Sequence, residues 1–194
     1  MFNSCIPNCC IVFIFYHDNY LYLLNMKFLI IFFFLSTSAL ANVEQVIENL
    51  VINKELKKYN NLTFLDAKKK ELNLDDFRGN LILLNFWATW CEPCKEEMPS
   101  LDILQTKKEL DNLIIFPINV GQDKVEKAEN FFQKLKIKNL DLYFDKSMTM
   151  AKNFTLRGIP TSILLNKDGE EFARIIGSIN FNDKNFIEWL RSYN

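Results

Sequence analysis

The sequence predicts an α/β domain of three layers, in which helices pack on a mixed central sheet. The first observation is a nearly continuous apolar run over residues 81–88, which suits a strand that is buried on both faces. The second is the alternation of short apolar runs with segments of helical periodicity along most of the chain. The third is a Lys-Asp-Gly turn at residues 167–169 between two apolar runs, which predicts an antiparallel hairpin within the sheet.

The predicted elements follow the order β-β-β-α-β-α-β-α-β-β-α. A helical lead-in is predicted over residues 42–61, because apolar side chains recur at helical spacing between Val43 and Val51. The domain itself is predicted to span residues 62–194. Its strands are predicted at 62–65, 71–74, 81–88, 114–120, 140–144, 161–166 and 171–176, and its helices at 94–108, 125–135, 147–154 and 183–193.

The helix predicted at 94–108 follows the buried strand directly. Met98 and Leu101 lie on its apolar side, and Pro99 is expected to kink it because proline removes a backbone hydrogen bond. The charged residues 95–97 are predicted to form a solvated face.

Residues 1–41 are predicted to be a doubtful N-terminal extension followed by a signal peptide or anchor. Lys27 precedes eight apolar residues at 28–35, and Ala39-Leu40-Ala41 has the form of a signal-peptidase site. The apolar block is far shorter than the roughly 20 residues that span a bilayer. This length favours a cleaved signal over an uncleaved membrane anchor, and both place the domain outside the cytoplasm, in the periplasm or its equivalent.

Residues 1–25 fit this pattern poorly, since Met26-Lys27 itself resembles a start. We interpret them as an over-extended reading frame, and the alternative is a first apolar segment that helps to tether the protein to the membrane. Acidic and basic residues nearly balance in the whole chain, at 24 and 23, which argues against a nucleic-acid partner.

Two cysteines, Cys91 and Cys94, lie where the predicted strand turns into the predicted helix. The free N–H groups and the peptide dipoles at a helix start stabilise a thiolate there, and the thiolate is the reactive form of cysteine. A two-residue gap at such a turn favours an exchanging dithiol over a structural disulfide or a zinc site. Zinc needs about four ligands, and the chain beyond the signal offers two cysteines and no histidine.

Two separated motifs carry a resemblance to a known family. They are FWATWCEPC at residues 86–94, followed by Pro99, and Gly-Ile-Pro-Thr at residues 158–161, followed by a strand and the Lys-Asp-Gly turn. This pattern resembles the thioredoxin superfamily, and in particular its TlpA/ResA-like exported thiol-disulfide oxidoreductases. The resemblance covers the chain from about residue 62 onward and implies a thioredoxin-like α/β/α sandwich that works without a cofactor.

The resemblance also implies roles for individual residues. Cys91 corresponds to the attacking cysteine and Cys94 to the resolving one. Pro160 corresponds to a cis-proline that faces the dithiol, which would let the backbone of Ile159 pair with an extended substrate. Trp90 corresponds to the aromatic residue beside the active site.

Candidates for proton transfer are less direct. Asn85 stands where thioredoxin has a buried aspartate, and it is either a satisfied core amide or a holder of water for proton transfer. Gln122 and Asp123 stand where the branch carries a glutamate after the next strand.

The implied function is reduction of specific protein disulfides, for example in cytochrome c or oxidase maturation, with disulfide-containing proteins as substrates and a membrane electron donor for re-reduction. The alternative is a copper metallochaperone on the same fold, since thiolates suit Cu(I). Chaperones of that type use a distant histidine, and none follows His17. A peroxidase would need a Thr-x-x-Cys site, and Thr89 is one position too close to Cys91.

Overall fold

The computed structural model describes residues 47–194. The predicted extension and signal or anchor at 1–41 lie outside these residues. The strands are β1 Leu50–Lys58, β2 Thr63–Asp66, β3 Glu71–Asn73, β4 Leu81–Trp87, β5 Leu113–Asn119, β6 Tyr143–Phe144, β7 Thr161–Leu165 and β8 Glu170–Ile176. The helices are α1 Glu92–Leu104, α2 Val125–Leu135, α3 Thr149–Asn153 and α4 Lys184–Arg191, with 3₁₀ turns at Leu74–Phe77 and Lys108–Leu110.

The strands form one mixed sheet in the order β1-β8-β7-β4-β5-β6-β2-β3. Strand β4 pairs in parallel with β5 and antiparallel with β7, so the sheet combines a crossover with the predicted hairpin. Successive residues of a strand point to opposite faces, and β4 accordingly feeds two separate cores. Leu81, Leu83 and Trp87 pack with side chains of α1, α2 and α4. Ile82, Leu84 and Phe86 pack with side chains of α3 on the other face.

This arrangement confirms the three-layer α/β/α sandwich with a mixed central sheet. It also explains why residues 81–87 are apolar at nearly every position, since all seven are buried. Within residues 47–194, no helix combines the length and the apolar character needed to cross a bilayer.

The helical lead-in predicted over 42–61 is wrong for residues 50–58. These residues form the edge strand β1, which pairs antiparallel with β8, with Leu50 opposite Ile175 and Lys58 opposite Glu170. Leu50 and Ile52 pack on the core while Val51 is exposed, which is the two-residue period of a strand. Leu50 and Val51 continued the helical spacing of the residues before them, whereas pairing with the backbone of β8 determines the structure from residue 50 onward.

Candidate active site

The turn between β4 and α1 carries the two cysteines of the predicted dithiol. Cys91 and Cys94 are joined by a disulfide bond, with their Cα atoms 5.3 Å apart. Cys94 is fully buried, and Cys91 keeps 5% of its surface exposed. The pair is therefore within bonding reach, and of the two cysteines only Cys91 retains contact with solvent in this oxidised form.

Helix α1 begins immediately after Cys91, which is its N-cap residue. The N–H of Cys94 donates to the Sγ of Cys91 at 3.3 Å, and Pro93 occupies the first turn, where a missing N–H leaves no helical bond unmade. The helix dipole and this N–H both favour negative charge on the Cys91 sulfur once the disulfide is reduced. Glu92 adds an opposing charge, but the ammonium of Lys95 lies 2.9 Å from its carboxylate and offsets it.

Three strand ends meet at the edge of the sheet that carries this turn. Trp87, the last residue of β4, pairs with Asn119 at the end of the parallel strand β5. Phe86 pairs with Thr161, the first residue of the antiparallel strand β7. The Gly-Ile-Pro-Thr motif and the dithiol turn, which are about 70 residues apart in the chain, therefore lie at the same edge of the sheet.

The peptide bond between Ile159 and Pro160 is cis, as the resemblance predicts. Pro160 is buried and Ile159 is half-buried. The carbonyl of Pro160 accepts a hydrogen bond from the N–H of Gly177 at 3.0 Å, which ties the motif to the end of β8.

The two tryptophans of the first motif lie in different environments. Trp87 is fully buried and stacks near Phe131 and Phe132 of α2, whereas Trp90 is 67% exposed beside Cys91. Gly121 fits closely under this loop: a Cβ atom there would lie 2.6 Å from the Cβ of Ala88 and 3.1 Å from the indole nitrogen of Trp90. Trp90 is therefore the exposed aromatic residue next to the cysteines, and Trp87 belongs to the core.

Asp123 links the loop after β5 to the loop that leads into Cys91. Its carboxylate accepts hydrogen bonds from the N–H of Thr89 at 3.0 Å, from the Thr89 hydroxyl at 2.8 Å, and from the amide of Asn119 at 3.0 Å, and it pairs with Lys127 at 2.7 Å. Burial acts to raise the pKa of Asp123, but these bonds outweigh it and lower the pKa to about 2. Asp123 thus remains ionised and holds the loop, while Gln122 beside it is exposed.

A carboxyl group that was predicted to be exposed is buried on α1, one helical turn after Cys94. Glu97 is only 2% exposed, and Asn85 donates a hydrogen bond of 2.8 Å to its Oε1. The same amide of Asn85 donates to the hydroxyl of Ser162 at 3.0 Å. Burial raises the pKa of Glu97 to about 8, although the hydrogen bond from Asn85 acts in the opposite direction.

The prediction that residues 95–97 form a solvated face is therefore wrong for Glu97, although Lys95 and Glu96 are exposed. Residues three, four and seven positions after Cys94 share its side of the helix, and these are Glu97, Met98 and Leu101. The spacing alone could have placed Glu97 among the buried side chains. Its charge favoured exposure to solvent instead, because carboxylates are seldom fully buried without a partner.

The structure places Asn85, Glu97 and Ser162 in one buried hydrogen-bonded group, and it brings Asp123 to the loop before Cys91. Within residues 47–194, no group of three or more His, Cys, Asp or Glu side chains is positioned to hold a metal ion. The chemistry available at this edge of the sheet is that of two sulfur atoms, a helix start and a carboxyl group whose pKa is near that of a thiol.

Comparisons with known proteins agree with this arrangement. Residues 52–170 match the model of the AhpC/TSA family. The thiol-disulfide oxidoreductase ResA of Bacillus anthracis is 31% identical over 130 residues, which cover 67% of this chain and 72% of that protein. ResA of Bacillus subtilis (strain 168) is 29% identical over 119 residues, which cover 61% of this chain and 65% of that protein.

Solved structures share the fold. StoA from Bacillus subtilis is 25% identical with a TM-score of 0.55, covering 69% of this chain and 96% of that one. A secreted thiol-disulfide isomerase from Corynebacterium glutamicum is 20% identical with a TM-score of 0.63, covering 75% of this chain and 93% of that one. The chain therefore belongs to the AhpC/TSA family and is a thiol-disulfide oxidoreductase of the thioredoxin fold, the type to which its ResA relatives belong.

Proposed function

We propose that Cys91 and Cys94 are the redox-active pair of this oxidoreductase and that the reduced protein reduces disulfides in specific exported proteins. The single observation that carries the proposal is the disulfide at a helix start, with Cys91 as the N-cap residue and Cys94 buried behind it. Bonding between the two sulfurs supports exchange between a dithiol and a disulfide.

The first step is attack of the Cys91 thiolate on one sulfur of the substrate disulfide. A bond forms between the Cys91 sulfur and that substrate sulfur, and the substrate S–S bond breaks. The second substrate sulfur leaves as a thiolate and takes up a proton. The start of α1 stabilises a thiolate at Cys91, and this supports Cys91 as the attacking group.

In the second step, Cys94 loses its proton and attacks the Cys91 sulfur of the mixed disulfide. The Cys91–Cys94 disulfide forms and the bond between Cys91 and the substrate breaks. The first substrate sulfur leaves as a thiolate and takes up a proton, so the substrate is left with two thiols. In balance, the protein dithiol is oxidised by two electrons and the substrate disulfide is reduced by the same two.

We propose that Glu97 accepts the proton that Cys94 loses. It comes one helical turn after Cys94 on the same side of α1, and it is buried. Its pKa of about 8 is close to the ordinary value of a thiol, about 8.5, so a proton passes between the two groups at little cost in free energy. Asn85 orients the carboxyl group through its hydrogen bond, and Asp123 is a positioning residue for the loop before Cys91.

The remaining predicted roles concern the substrate. Pro160 and Ile159 lie at the same edge of the sheet as the dithiol turn, and Trp90 offers an exposed aromatic surface beside Cys91. Together they support binding of an extended substrate segment across this edge.

For the cellular role, we propose an exported protein, held near the membrane or released from it, that a membrane electron donor re-reduces. The export pattern at residues 26–41 supports this location. The resemblance to the TlpA/ResA-like branch supports substrates in cytochrome c or oxidase maturation, where cysteines must be reduced before they bind metal or haem.

The test is reduction of a peptide that contains one intramolecular disulfide, with the reduced protein supplied in stoichiometric amount. Wild type is expected to give one mole of peptide dithiol per mole of protein, and Cys91→Ser is expected to be at least about 100-fold slower, because the attacking thiolate is gone. Lys95→Ala, which alters an exposed residue of the same helix turn, is the matched control and is expected to stay within a few-fold of wild type. Full activity of Cys91→Ser would overturn the proposal.

A further inference from the structure

A groove opens beside the cis-proline motif, on the face of the sheet that carries α3. Its volume is about 480 Å³, and its lining includes Lys57, Tyr59, Leu156, Arg157, Arg174 and Ile176; we call it the basic groove. Thr161, the residue after Pro160, also lines it. The groove therefore starts where the proposed substrate segment crosses the edge of the sheet.

The charge of the basic groove is positive. No lining residue is acidic, and Lys57 and Arg157 are both exposed. Within residues 47–194, neither of these two cations takes part in an ion pair.

The third cation in the lining, Arg174, already forms an ion pair with a carboxylate of the protein. Its Nε lies 2.7 Å and one terminal nitrogen 2.8 Å from the carboxylate of Glu171, which is fully buried beneath the groove. Its other terminal nitrogen donates to the carbonyl of Phe154 at 3.3 Å. The Arg174–Glu171 pair is thus neutral as a unit, and Lys57 and Arg157 leave the groove with two unmatched positive charges.

The groove also has an apolar part next to Pro160. Ile176 is 50% exposed and pairs with Thr161 across the two strands, and Leu156 is half-buried. An apolar surface that continues into two unmatched cations is complementary to an extended chain with an apolar residue followed by acidic residues.

We propose that the basic groove binds an acidic stretch of the substrate polypeptide, close in sequence to the cysteine that meets Cys91. This inference rests on the proposed function and adds a substrate preference to it. Contacts with Lys57 and Arg157 select substrates whose disulfide is flanked by aspartate or glutamate, and they disfavour substrates flanked by lysine or arginine.

The test uses two synthetic peptides with the same intramolecular disulfide, one flanked by acidic and one by basic residues, and the neutral hydroxyethyl disulfide as a reference. The reduced wild-type protein is expected to show a second-order rate constant for the acidic peptide roughly five-fold or more above that for the basic peptide, the ratio that about 1 kcal/mol of charge interaction gives. Arg157→Glu is expected to abolish or invert this ratio, and the wild-type ratio is expected to fall at high salt. Lys152→Glu, an exposed residue of α3 outside the groove, is the matched control and should keep the ratio.

Equal second-order rate constants for the two peptides in wild type would overturn the inference, as would an equal loss of preference in Lys152→Glu. Hydroxyethyl disulfide separates this result from the chemistry, because its reduction should be the same in all three proteins. If the protein failed to reduce it, the proposed function would fall, and the groove would be judged by binding of cysteine-free peptides. The acidic peptide must then bind more tightly than the basic one in wild type, and Arg157→Glu must remove the difference.

Discussion

Asn85 in β4 donates a hydrogen bond of 2.8 Å to the carboxyl group of Glu97 in α1, and both side chains are closed off from solvent. This bond joins the central strand to the helix that begins at the dithiol. It connects a carboxyl group of raised pKa to a strand whose residues are all buried. The first two predictions concern this carboxyl group.

The first concerns stability. Because the pKa of Glu97 is raised from 4.5 to about 8, the folded protein keeps a proton that the unfolded chain loses across this window. The free energy of unfolding therefore falls as pH rises from about 4.5 to about 8, by at most ~1.4 kcal/mol per pH unit from this residue. We expect urea unfolding of the oxidised protein to show this difference. Between about pH 5 and about pH 8, the free energy of unfolding of wild type should fall by about 2 kcal/mol or more relative to that of Glu97→Gln.

The neighbouring exposed residue supplies the control for this measurement. Glu96→Gln should keep the pH dependence of wild type, because its carboxylate is in solvent. Parallel stability profiles for wild type and Glu97→Gln would show that the carboxyl group ionises at its ordinary pH.

The second prediction concerns the rate of the resolving step. Glu97→Gln is expected to slow release of the substrate from the mixed disulfide by about 10-fold or more near neutral pH, because the acceptor of the Cys94 proton is lost. In wild type the rate should rise with pH toward about 8, the pKa of Glu97. Stopped-flow measurement of this step at several pH values checks both points, and an unchanged pH profile in the glutamine variant would remove Glu97 from the mechanism.

The third prediction concerns Asp123, which fixes the loop before Cys91 through Thr89. Asp123→Ala is expected to lower the free energy of unfolding by about 2–3 kcal/mol, since the N–H of Thr89 and the amide of Asn119 lose a charged acceptor. Because the pKa of Asp123 is lowered to about 2, its contribution is present above about pH 4 and is lost as pH falls through 2. The control is Asp76→Ala, which removes an exposed carboxylate and should change the free energy of unfolding by less than about 0.5 kcal/mol. An equal effect of the two variants would argue against the role of Asp123.

The fourth prediction concerns the buried pair that supports the edge strand. Glu171 is fully buried and accepts hydrogen bonds from Arg174, from the Tyr59 hydroxyl at 2.7 Å, and from Asn53 of β1 at 3.1 Å. Arg174→Met is expected to destabilise the protein by about 3–5 kcal/mol, because it leaves a buried charge without its main partner. Combining it with Glu171→Leu should restore part of the loss, and thermal unfolding of the two single variants and the double variant checks the coupling. Additive losses would contradict it.

The sequence was sufficient for the elements whose pattern is local. The apolar run of β4, the Lys-Asp-Gly hairpin and the cysteine spacing each reflect a short-range constraint, and all three appear in the structure. The cis bond before Pro160 was predicted only through the family resemblance.

The two wrong predictions concern residues whose structure depends on contacts with distant parts of the chain. Strand β1 forms because the edge of β8 offers its backbone to residues 50–58, more than 110 positions earlier in the chain. Glu97 is buried because the helix presents that position to the strands, next to Asn85. For β1, the residues read with their neighbours lack the information that tertiary packing adds. For Glu97, the helical spacing did place the residue on the buried side of α1, and only its charge favoured solvent.

In the proposed mechanism, Cys91 attacks the substrate disulfide and Cys94 resolves the mixed disulfide. The most direct measurement is mass spectrometry of the reduced Cys94→Ala and Cys91→Ala variants after brief exposure to the same peptide disulfide. A stable mixed disulfide is expected at Cys91 in the first variant, and about 100-fold slower adduct formation is expected at the buried Cys94 in the second. Equal or faster reaction of Cys94 would contradict it.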